Sequence, residues 1–260
     1  MTSTSEMEVV RPNQPLTSNY SVEIIVPTFE EGDELRLAVE RLISTLAERG
    51  ISKFVVTIVI DGPIKKTIDA AALVTDQRVR TLVLPMNKGK GNAVLTGFRQ
   101  SRADVLGFID GDLDIHPDAL IDAIRELSDP QNVHVGCVYG SKFHQQSVVS
   151  YPLIRRVLSR GFRAIIRILF SINVDDTQTG VKMFRRSAIE KRLDTVTQSG
   201  FLLDIELMKI VADAGWSLLA VPVNVKYHYS STVSPRVVAQ MFIQTLKLAA
   251  RKSTRPNSQA

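Results

Sequence analysis

The chain has 260 residues, of which 44% are hydrophobic and 23% charged, a composition typical of one sizeable α/β domain or a domain with an extension. Its formal charge of +5 and isoelectric point near 9.4 favour anionic partners such as nucleotides, phosphates, nucleic acid or anionic lipid surfaces. A single cysteine excludes an internal disulfide framework, and no stretch approaches the ~20 apolar residues of a membrane span. Residues 1–20 are polar, lack a signal-peptide core and are expected to form a flexible leader.

Apolar runs that alternate with amphipathic segments predict a Rossmann-like, mainly parallel sheet covered by helices on both faces. The first predicted strand, 22–27, is followed by a helix over 32–49 whose apolar residues recur at helical spacing and which Gly50 closes. Pro117 opens a later helix, as suits a first helical turn. The other predicted strands are 54–60, 79–84, 104–109 and 133–140, and a further helix covers 88–102.

The predicted domain covers residues 21–230 and contains the first of two basic amphipathic segments, whereas the second segment follows the domain. The first, 152–172, is predicted to be one long helix with a narrow stripe of arginines opposite an apolar arc. The second covers 231–252, and a disordered tail is expected over 253–260. Each helix is either an ordinary surface helix or a means of docking to an anionic membrane surface. The stripe of the first helix consists of Arg156, Arg160, Arg163 and Arg167.

Three aspartates, Asp110, Asp112 and Asp114, directly follow the predicted strand 104–109. Carboxylates this close repel one another unless a cation lies between them, and Mg²⁺ or Mn²⁺ binds such oxygens together with a substrate diphosphate. A solvated acidic turn is the simpler alternative. A calcium loop is excluded because Ile115 and Ile121 occupy the positions where that loop needs Gly and Glu. The pattern therefore predicts a metal–diphosphate site at the carboxyl edge of the sheet.

Polar segments follow three further strands and are expected to meet the aspartates at the same edge of the sheet. Glu31 follows the first strand, Asp61 the second, and a glycine-rich turn with Lys88 and Lys90 the third. Asp61 can accept a hydrogen bond from a base or a sugar hydroxyl, and the lysines can approach phosphates closely. The turn is not a P-loop, because no Ser or Thr follows a G-x-x-x-x-G-K run, and a dinucleotide fingerprint is absent.

Taken in order, six motifs resemble those of the inverting family-2 glycosyltransferases, which have the GT-A fold. Among the branches of that family, they look like the polyprenyl (dolichyl) phosphate sugar synthases, especially the dolichyl-phosphate glucosyltransferases. The resemblance spans roughly residues 22–228, nearly the whole chain that is expected to be ordered. The motifs are 27–31, 87–91, 110–114, 139–142, 176–182 and 201–207.

The resemblance implies that Asp110 and Asp112 hold a Mg²⁺ or Mn²⁺ ion and the donor diphosphate, with Asp112 central to catalysis. It implies that Asp114 completes the metal shell and that Glu31 and Asp61 line the donor-nucleoside pocket. The donor would be a UDP- or GDP-sugar. The further substrate-binding residues that the resemblance implies are Pro27, Lys90 and Gln178.

Three positions depart from the family pattern. Lys142 stands where the family usually has Arg, and an ammonium can still meet a phosphate but lacks the two-pronged geometry of a guanidinium. Ile60 replaces the first Asp, and Pro63 the Ser, of the usual Asp-Asp-Gly-Ser. The last two departures bear on the nucleoside contacts and leave the metal site unaffected.

Two kinds of acceptor remain open. A lipid phosphate is already ionised and needs cations, for which Lys142, Arg155 and Arg156 are candidates, whereas a sugar hydroxyl needs a carboxylate base, for which Asp204 is the candidate. Asp204 and Glu206 can also be a simple acidic pair at a helix N-terminus. The leading expectation is inverting transfer of a hexose, glucose rather than mannose, to a polyprenyl phosphate. The alternative acceptor is a soluble or polysaccharide hydroxyl.

The leading expectation places the enzyme in the cytoplasm, peripherally on the cytosolic face of a membrane. A basic nucleotide- or nucleic-acid-binding module is the non-enzyme alternative. Nucleic acid is not expected as a partner, because the aspartates would repel phosphates without a metal and an aromatic fraction of 6% offers few stacking platforms.

Overall fold

The computed structural model describes residues 20–149, 166–170, 172–196, 200 and 202–225. Most of the predicted leader, both Arg155 and Arg156, the predicted helix over 231–252 and the tail over 253–260 lie outside the described residues. Within the predicted helix 152–172, the structure describes helical residues at 166–170.

A mixed sheet of seven strands forms the centre of the molecule. The strands of the described chain are β1 (Val22–Thr28), β2 (Phe54–Ile60), β3 (Val79–Val83), β4 (Val105–Ile109), β5 (Val135–Ser141), β6 (Val148–Val149), β7 (Val181–Arg185), β8 (Ser217–Pro222) and β9 (Asn224–Val225). The sheet order is β3-β2-β1-β4-β7-β5-β8, and β6 pairs with β9 separately. Neighbouring strands of the large sheet are parallel, except that β7 runs antiparallel to both β4 and β5.

Helices cover both faces of the sheet and enclose two hydrophobic cores. Their bounds are α1 (Asp33–Glu48), α2 (Lys65–Ala72), α3 (Lys90–Gln100), α4 (Asp118–Ser128), α5 (Arg186–Ile189) and α6 (Leu203–Asp213), with short 3₁₀ turns at Pro130–Asn132 and Glu190–Thr195. One core contains apolar residues of α1 and α4, such as Leu42 and Leu120, and the other contains residues of α3 and α6, such as Phe98 and Leu207. None of the helices in the described ranges is both long and apolar enough to cross a membrane.

The sequence explains the regular elements directly. All seven residues of β1 are buried, as expected for a parallel strand that is covered on both faces, and five of them are apolar. The carboxylate of Glu23 is buried in this strand and accepts a hydrogen bond from the hydroxyl of Thr57 at 2.6 Å. Helix α1 buries Leu35, Val39 and Leu42 at the predicted spacing. It ends just before Gly50, whose φ of 82° lies in the left-handed region that glycine adopts without strain.

The predicted α/β sheet flanked by helices is confirmed, and so are its first five strands. The elements that were not predicted include α2 and β7. β7 escaped prediction because Lys182 and Arg185 are both buried in it and interrupt its apolar run. The guanidinium of Arg185 instead donates hydrogen bonds to carbonyl oxygens, among them that of Leu127 at 2.6 Å. Burial of a charged strand residue therefore depends on partners that are remote in the sequence.

Cys137 on β5 provides a test of this packing. Its side chain is fully buried, and burial raises the pKa of its thiol, although the charge of Lys182 acts in the opposite direction. Because the thiolate is the reactive form, we expect the native protein to resist an aromatic disulfide reagent and to release one thiol per chain after denaturation. Spectrophotometric titration with and without denaturant measures this, and equally fast labelling in both conditions would contradict the packing.

Candidate active site

The loop after β1 is held in place by Glu31. Its carboxylate accepts hydrogen bonds from the hydroxyl of Thr28 and from a backbone N–H of the same loop at 2.6 Å. The hydroxyl of Thr67 in α2 lies 2.8 Å from the carbonyl oxygen of Glu31. The carbonyl oxygen of Pro27 and the Glu31 carboxylate both lie close to Gly111 of the aspartate loop. The predicted nucleoside residue Glu31 and the predicted substrate-binding residue Pro27 therefore adjoin the predicted metal site.

Asp61 connects the end of β2 to the glycine-rich loop. Its buried carboxylate accepts hydrogen bonds from the backbone N–H groups of Lys88 at 3.0 Å and Gly89 at 2.6 Å. Gly89 has a φ of 93°, which favours glycine, and α3 begins at the next residue, Lys90. Asp61 thus shapes the loop that presents Lys90. A direct contact between Asp61 and a nucleoside stays a prediction.

Lys90 lies between the glycine-rich loop and the aspartates. Its ammonium forms an ion pair with Asp110 and lies 5.3 Å from the ring centroid of Phe108. Burial by itself lowers the pKa of Lys90, but the charges of Asp110, Asp204 and Asp112 outweigh that effect and raise it. The ammonium is held among carboxylates, while 46% of the Lys90 side chain is exposed, so Lys90 borders the surface of the aspartate loop.

The aspartate loop that follows β4 has an unusual backbone. The N–H of Leu113 donates to the carbonyl oxygen of Asp110, and the N–H of Asp114 donates to Oδ1 of Asp112, both at 3.1 Å. Leu113 is buried and has a φ of 47°, a left-handed conformation that costs a residue with a Cβ roughly 1–3 kcal/mol. The surrounding packing therefore holds this loop in a conformation that its sequence alone does not favour.

The carboxylates of Asp110 and Asp112 fit a hard divalent cation. Burial raises the pKa of Asp112, the N–H of Asp114 opposes that rise, and the negative charges of Asp110 and Asp114 add to it. The Oδ1 atom of Asp110 is buried without a hydrogen bond, and Lys90 is its ion-pair partner. A cation bound by oxygen ligands would relieve this repulsion.

Asp114 does not complete a three-carboxylate set in this conformation. Across the described ranges, no three His, Cys, Asp or Glu side chains are arranged so that they could hold a metal ion. A metal at Asp110 and Asp112 would therefore take its remaining ligands from water and from a bound diphosphate. Mg²⁺ commonly binds in this way, through one or two carboxylates and substrate phosphates.

A second charged cluster lies at the end of β5. The ammonium of Lys142 lies 2.8 Å from Oδ2 of Asp176 and donates to the hydroxyl of Thr179 at 2.9 Å. Burial by itself would raise the pKa of Asp176, but the charge and hydrogen bond of Lys142 outweigh it and hold the pKa below its ordinary value. The backbone N–H of Gln178 donates to the same carboxylate at 2.9 Å. Lys142 is thus paired with Asp176, and its contact with a phosphate stays a prediction.

Lys182 is a site residue that sequence reasoning missed. It is completely buried, its ammonium donates to the carbonyl oxygen of Thr179 at 2.6 Å, and it lies 3.3 Å from Oδ1 of Asp204. Burial raises the pKa of Asp204, while Lys182 and Lys90 oppose the rise. Asp204 and Glu206 lie in the first turn of α6, as predicted. The available signal was a lysine flanked by the apolar residues Val181 and Met183.

Gly180 connects the two charged clusters. Its carbonyl oxygen accepts a hydrogen bond from the N–H of Asp110 at 3.1 Å, and a Cβ at this position would overlap the Asp110 carboxylate. The neighbouring Thr179 contacts both Lys142 and Lys182. The strand ends that were predicted to converge do so, and residues 176–182 join them from a direction that was not predicted.

The sequence matches a family model over residues 23–193, and the family is described as Glycosyl transferase family 2. The chain belongs to this family. The dolichyl-phosphate beta-glucosyltransferase of Saccharomyces cerevisiae is 26% identical over 220 residues, covering 77% of this chain and 65% of that protein. The dolichol-phosphate mannosyltransferase of Mycosarcoma maydis is 27% identical over 197 residues, covering 74% and 66%. The match thus spans slightly less than two thirds of the length of these relatives.

Solved structures resemble this glycosyltransferase in fold. Glucosyl-3-phosphoglycerate synthase of Mycobacterium tuberculosis, in a complex with Mn²⁺ and UDP-glucose, superimposes with a TM-score of 0.68. The similarity covers 95% of this chain and 86% of that chain at 17% sequence identity. It confirms the predicted GT-A-like α/β fold.

The first prediction from this site concerns the aspartates. We expect Asp112→Asn and Asp110→Asn to abolish sugar transfer and to weaken Mn²⁺-dependent nucleotide binding, because each removes a carboxylate charge from the predicted metal site. Asp114→Asn should have a milder effect. Transfer assays and calorimetric titration with nucleotide and Mn²⁺ measure both effects, with circular dichroism as a check on folding. Undiminished wild-type turnover in excess chelator would refute the metal site.

The second prediction concerns Gly180. We expect Gly180→Ala to displace the Asp110 carboxylate and to reduce transfer by about 10²-fold, the order of loss that a misplacement near 1 Å can cause. Thermal stability should change little, because the displaced atoms are the end of a flexible side chain. Gly200→Ala is the matched control, because nothing lies within 4 Å of a Cβ at that position. Equal activity of the two variants would contradict the prediction.

Proposed function

We propose that this glycosyltransferase transfers a hexose, glucose rather than mannose, from a UDP- or GDP-sugar to a polyprenyl phosphate of the dolichyl type, with inversion at the anomeric carbon. The observation that carries this proposal is the similarity to dolichyl-phosphate beta-glucosyltransferases of Saccharomyces cerevisiae, Drosophila melanogaster and Homo sapiens, at 26%, 27% and 25% identity. A mannosyltransferase relative has a comparable identity of 27%. Glucose is favoured because three of these four relatives carry glucosyltransferase names.

The charges at the sheet edge support the donor half of the proposal. When bound, a divalent metal ion supplies positive charge that stabilises the departing nucleoside diphosphate, and Asp110 and Asp112 would hold it. Lys90 adds a protonated ammonium to the same region. The complex of the mycobacterial synthase with Mn²⁺ and UDP-glucose is a precedent for these ligands on this fold. Glu31 and Asp61 are proposed to line the donor-nucleoside pocket, and Pro27 and Gln178 are proposed as further substrate-binding residues.

A phosphate acceptor suits a site that is rich in lysine. The acceptor oxygen is already ionised near neutrality, so the reaction needs cations to hold two anions together and needs no proton acceptor. Lys142 is the described candidate, and it would bind the acceptor while it remains beside Asp176. Arg155 and Arg156 are proposed as further contacts from the sequence alone.

We also propose that the basic segment 152–172 brings the enzyme to the cytosolic face of a membrane. Each arginine close to an anionic bilayer contributes roughly 1 kcal/mol of attraction, which suits reversible attachment. Within the described part of this segment, Arg167 is exposed and Ile168 is 77% exposed. A charged and an apolar side chain are thus both available to a bilayer surface.

A soluble or polysaccharide hydroxyl is the second candidate acceptor, and Asp204 favours it. Its side chain is 14% exposed and burial raises its pKa, which brings a carboxylate closer to the range of an effective general base. The ion pair with Lys182 acts against this function, because it stabilises the ionised carboxylate. A hydroxyl acceptor would therefore require Asp204 as a proton acceptor, whereas a phosphate acceptor would not.

The experiment that tests the proposed function is a matrix of donors and acceptors. UDP-glucose, UDP-galactose and GDP-mannose are each offered with Mn²⁺ and with or without a polyprenyl phosphate in anionic or neutral liposomes. We expect nucleotide release to be fastest with UDP-glucose and polyprenyl phosphate in anionic liposomes. Release that ignores the lipid phosphate and requires a sugar acceptor would replace the proposal with the second candidate.

Asp204→Asn distinguishes the two acceptors independently. With a phosphate acceptor we expect a loss of activity of less than about tenfold, because no proton has to be removed, whereas loss of a general base costs on the order of 10²–10⁴ in rate. Single-turnover kinetics at saturating donor measure the chemical step. Donor affinity, measured in parallel, should stay close to that of the wild type. A large loss confined to chemistry would favour the hydroxyl acceptor.

A further inference from the structure

Lys90 and Lys182 both lie near the ring of Phe108, and the charges of both act on the carboxylate of Asp204. The ammonium groups of Lys90 and Lys182 lie 5.3 Å and 5.5 Å from the ring centroid of Phe108. Both act electrostatically on Asp204, and Lys182 has the stronger effect. Lys90 in addition forms the ion pair with Asp110. Positive and negative groups therefore alternate from Lys182 through Asp204 and Lys90 to Asp110.

We propose that Lys182 is a positioning residue that retains Asp204 and thereby keeps Lys90 available for the donor diphosphate. The inference rests on the donor half of the proposed function. Lys182 is fully buried and cannot touch the donor itself, so it acts through Asp204.

The placement of Lys182 on β7 suits this role. The residue pairs with Phe108 on one side and Tyr139 on the other, and the carbonyl oxygen of Thr179 accepts a hydrogen bond from its ammonium. The backbone of the central sheet therefore fixes the ammonium. The carboxylate of Asp204, whose Oδ1 lies 3.3 Å from this ammonium, is therefore attracted to a cation whose position does not change when a ligand binds.

Removal of Lys182 would change the partner of Lys90. A buried carboxylate without a counter-ion is costly, and among the described residues Lys90 is a second cation whose charge lowers the pKa of Asp204. Lys90 would move towards Asp204 and away from Asp110, and the diphosphate would lose a charge-assisted contact. Removal of both Lys182 and Asp204 would abolish this competition. A purely structural role for Lys182 predicts a loss of stability in the single variant and no recovery of nucleotide affinity in the double variant.

The experiment is a double-mutant cycle on nucleotide binding. The dissociation constant of UDP in the presence of Mn²⁺ is measured calorimetrically for the wild type, Lys182→Met, Asp204→Asn and the double variant. We expect Lys182→Met to weaken UDP binding about tenfold or more, as loss of one charge-assisted contact would, and the double variant to return to within about threefold of Asp204→Asn. Unchanged binding by Lys182→Met, or a double variant that is as weak as Lys182→Met, would overturn the proposal.

Phe184→Leu is the matched control for lost stability. Phe184 lies on the same strand, is fully buried and packs edge-on against Phe98, so its truncation disturbs packing without changing charge. UDP binding should survive this change, and a loss equal to that in Lys182→Met would overturn the proposal. Protection of Cys137 from thiol reagents reports whether each variant is folded.

Two further outcomes keep the test decisive. If Lys182→Met does not fold, the double variant, which leaves neither buried charge unpaired, is compared with Asp204→Asn alone. Equal UDP affinity of these two supports the proposal, and a further loss beyond threefold overturns it. If the wild type binds neither UDP nor GDP with Mn²⁺, the proposed function itself fails, and this inference with it.

Discussion

The direction of one strand determines how this active site is assembled. β7 runs antiparallel between β4 and β5, with Val181 opposite Ile109, so the residues before β7 arrive at the edge where β4 ends. A parallel strand would bring them to the opposite edge of the sheet. Because of this direction, the carbonyl oxygen of Gly180 meets the N–H of Asp110, and Thr179 lies within reach of both Lys142 and Lys182. β1, β2, β3 and β4 place at the site the residues that follow them, whereas β7 places there the residues that precede it.

Charge compensation at this edge distinguishes residues that can meet a ligand from residues that support them. Lys90, Lys142 and Lys182 are each paired with an aspartate, as buried or half-buried charges require. Their side chains are 46%, 15% and 0% exposed, respectively. The most exposed of these lysines lies beside the predicted metal carboxylates, and the least exposed lies deepest in the sheet. The exposure of these lysines therefore decreases from the carboxyl edge of the sheet towards its core, and each lysine keeps an aspartate as its partner.

The sequence predicted those elements whose own residues form a clear hydrophobic pattern. Mostly apolar runs identified β1, β2 and β4, and the convergence of their polar ends followed from the rules of parallel sheets. It failed for β7, because the burial of Lys182 and Arg185 depends on Asp204 and on carbonyl oxygens that are distant in the chain. For the same reason the pairing of Lys142 with a buried aspartate was not foreseen. A charge that is compensated only in the folded state looks like a solvent-exposed residue in the sequence.

The left-handed backbone of Leu113 restricts which amino acids this position can accept. Valine and isoleucine are unsuitable, since a branched Cβ clashes at positive φ, and aspartate or lysine would bury an unpaired charge. Glycine relieves the backbone but gives up the apolar contacts of a side chain that is 7% exposed. Unbranched apolar residues such as methionine are the natural replacements. Position 113, between the two aspartates, should therefore tolerate far fewer amino acids than an ordinary loop position, even though Leu113 carries no reactive group.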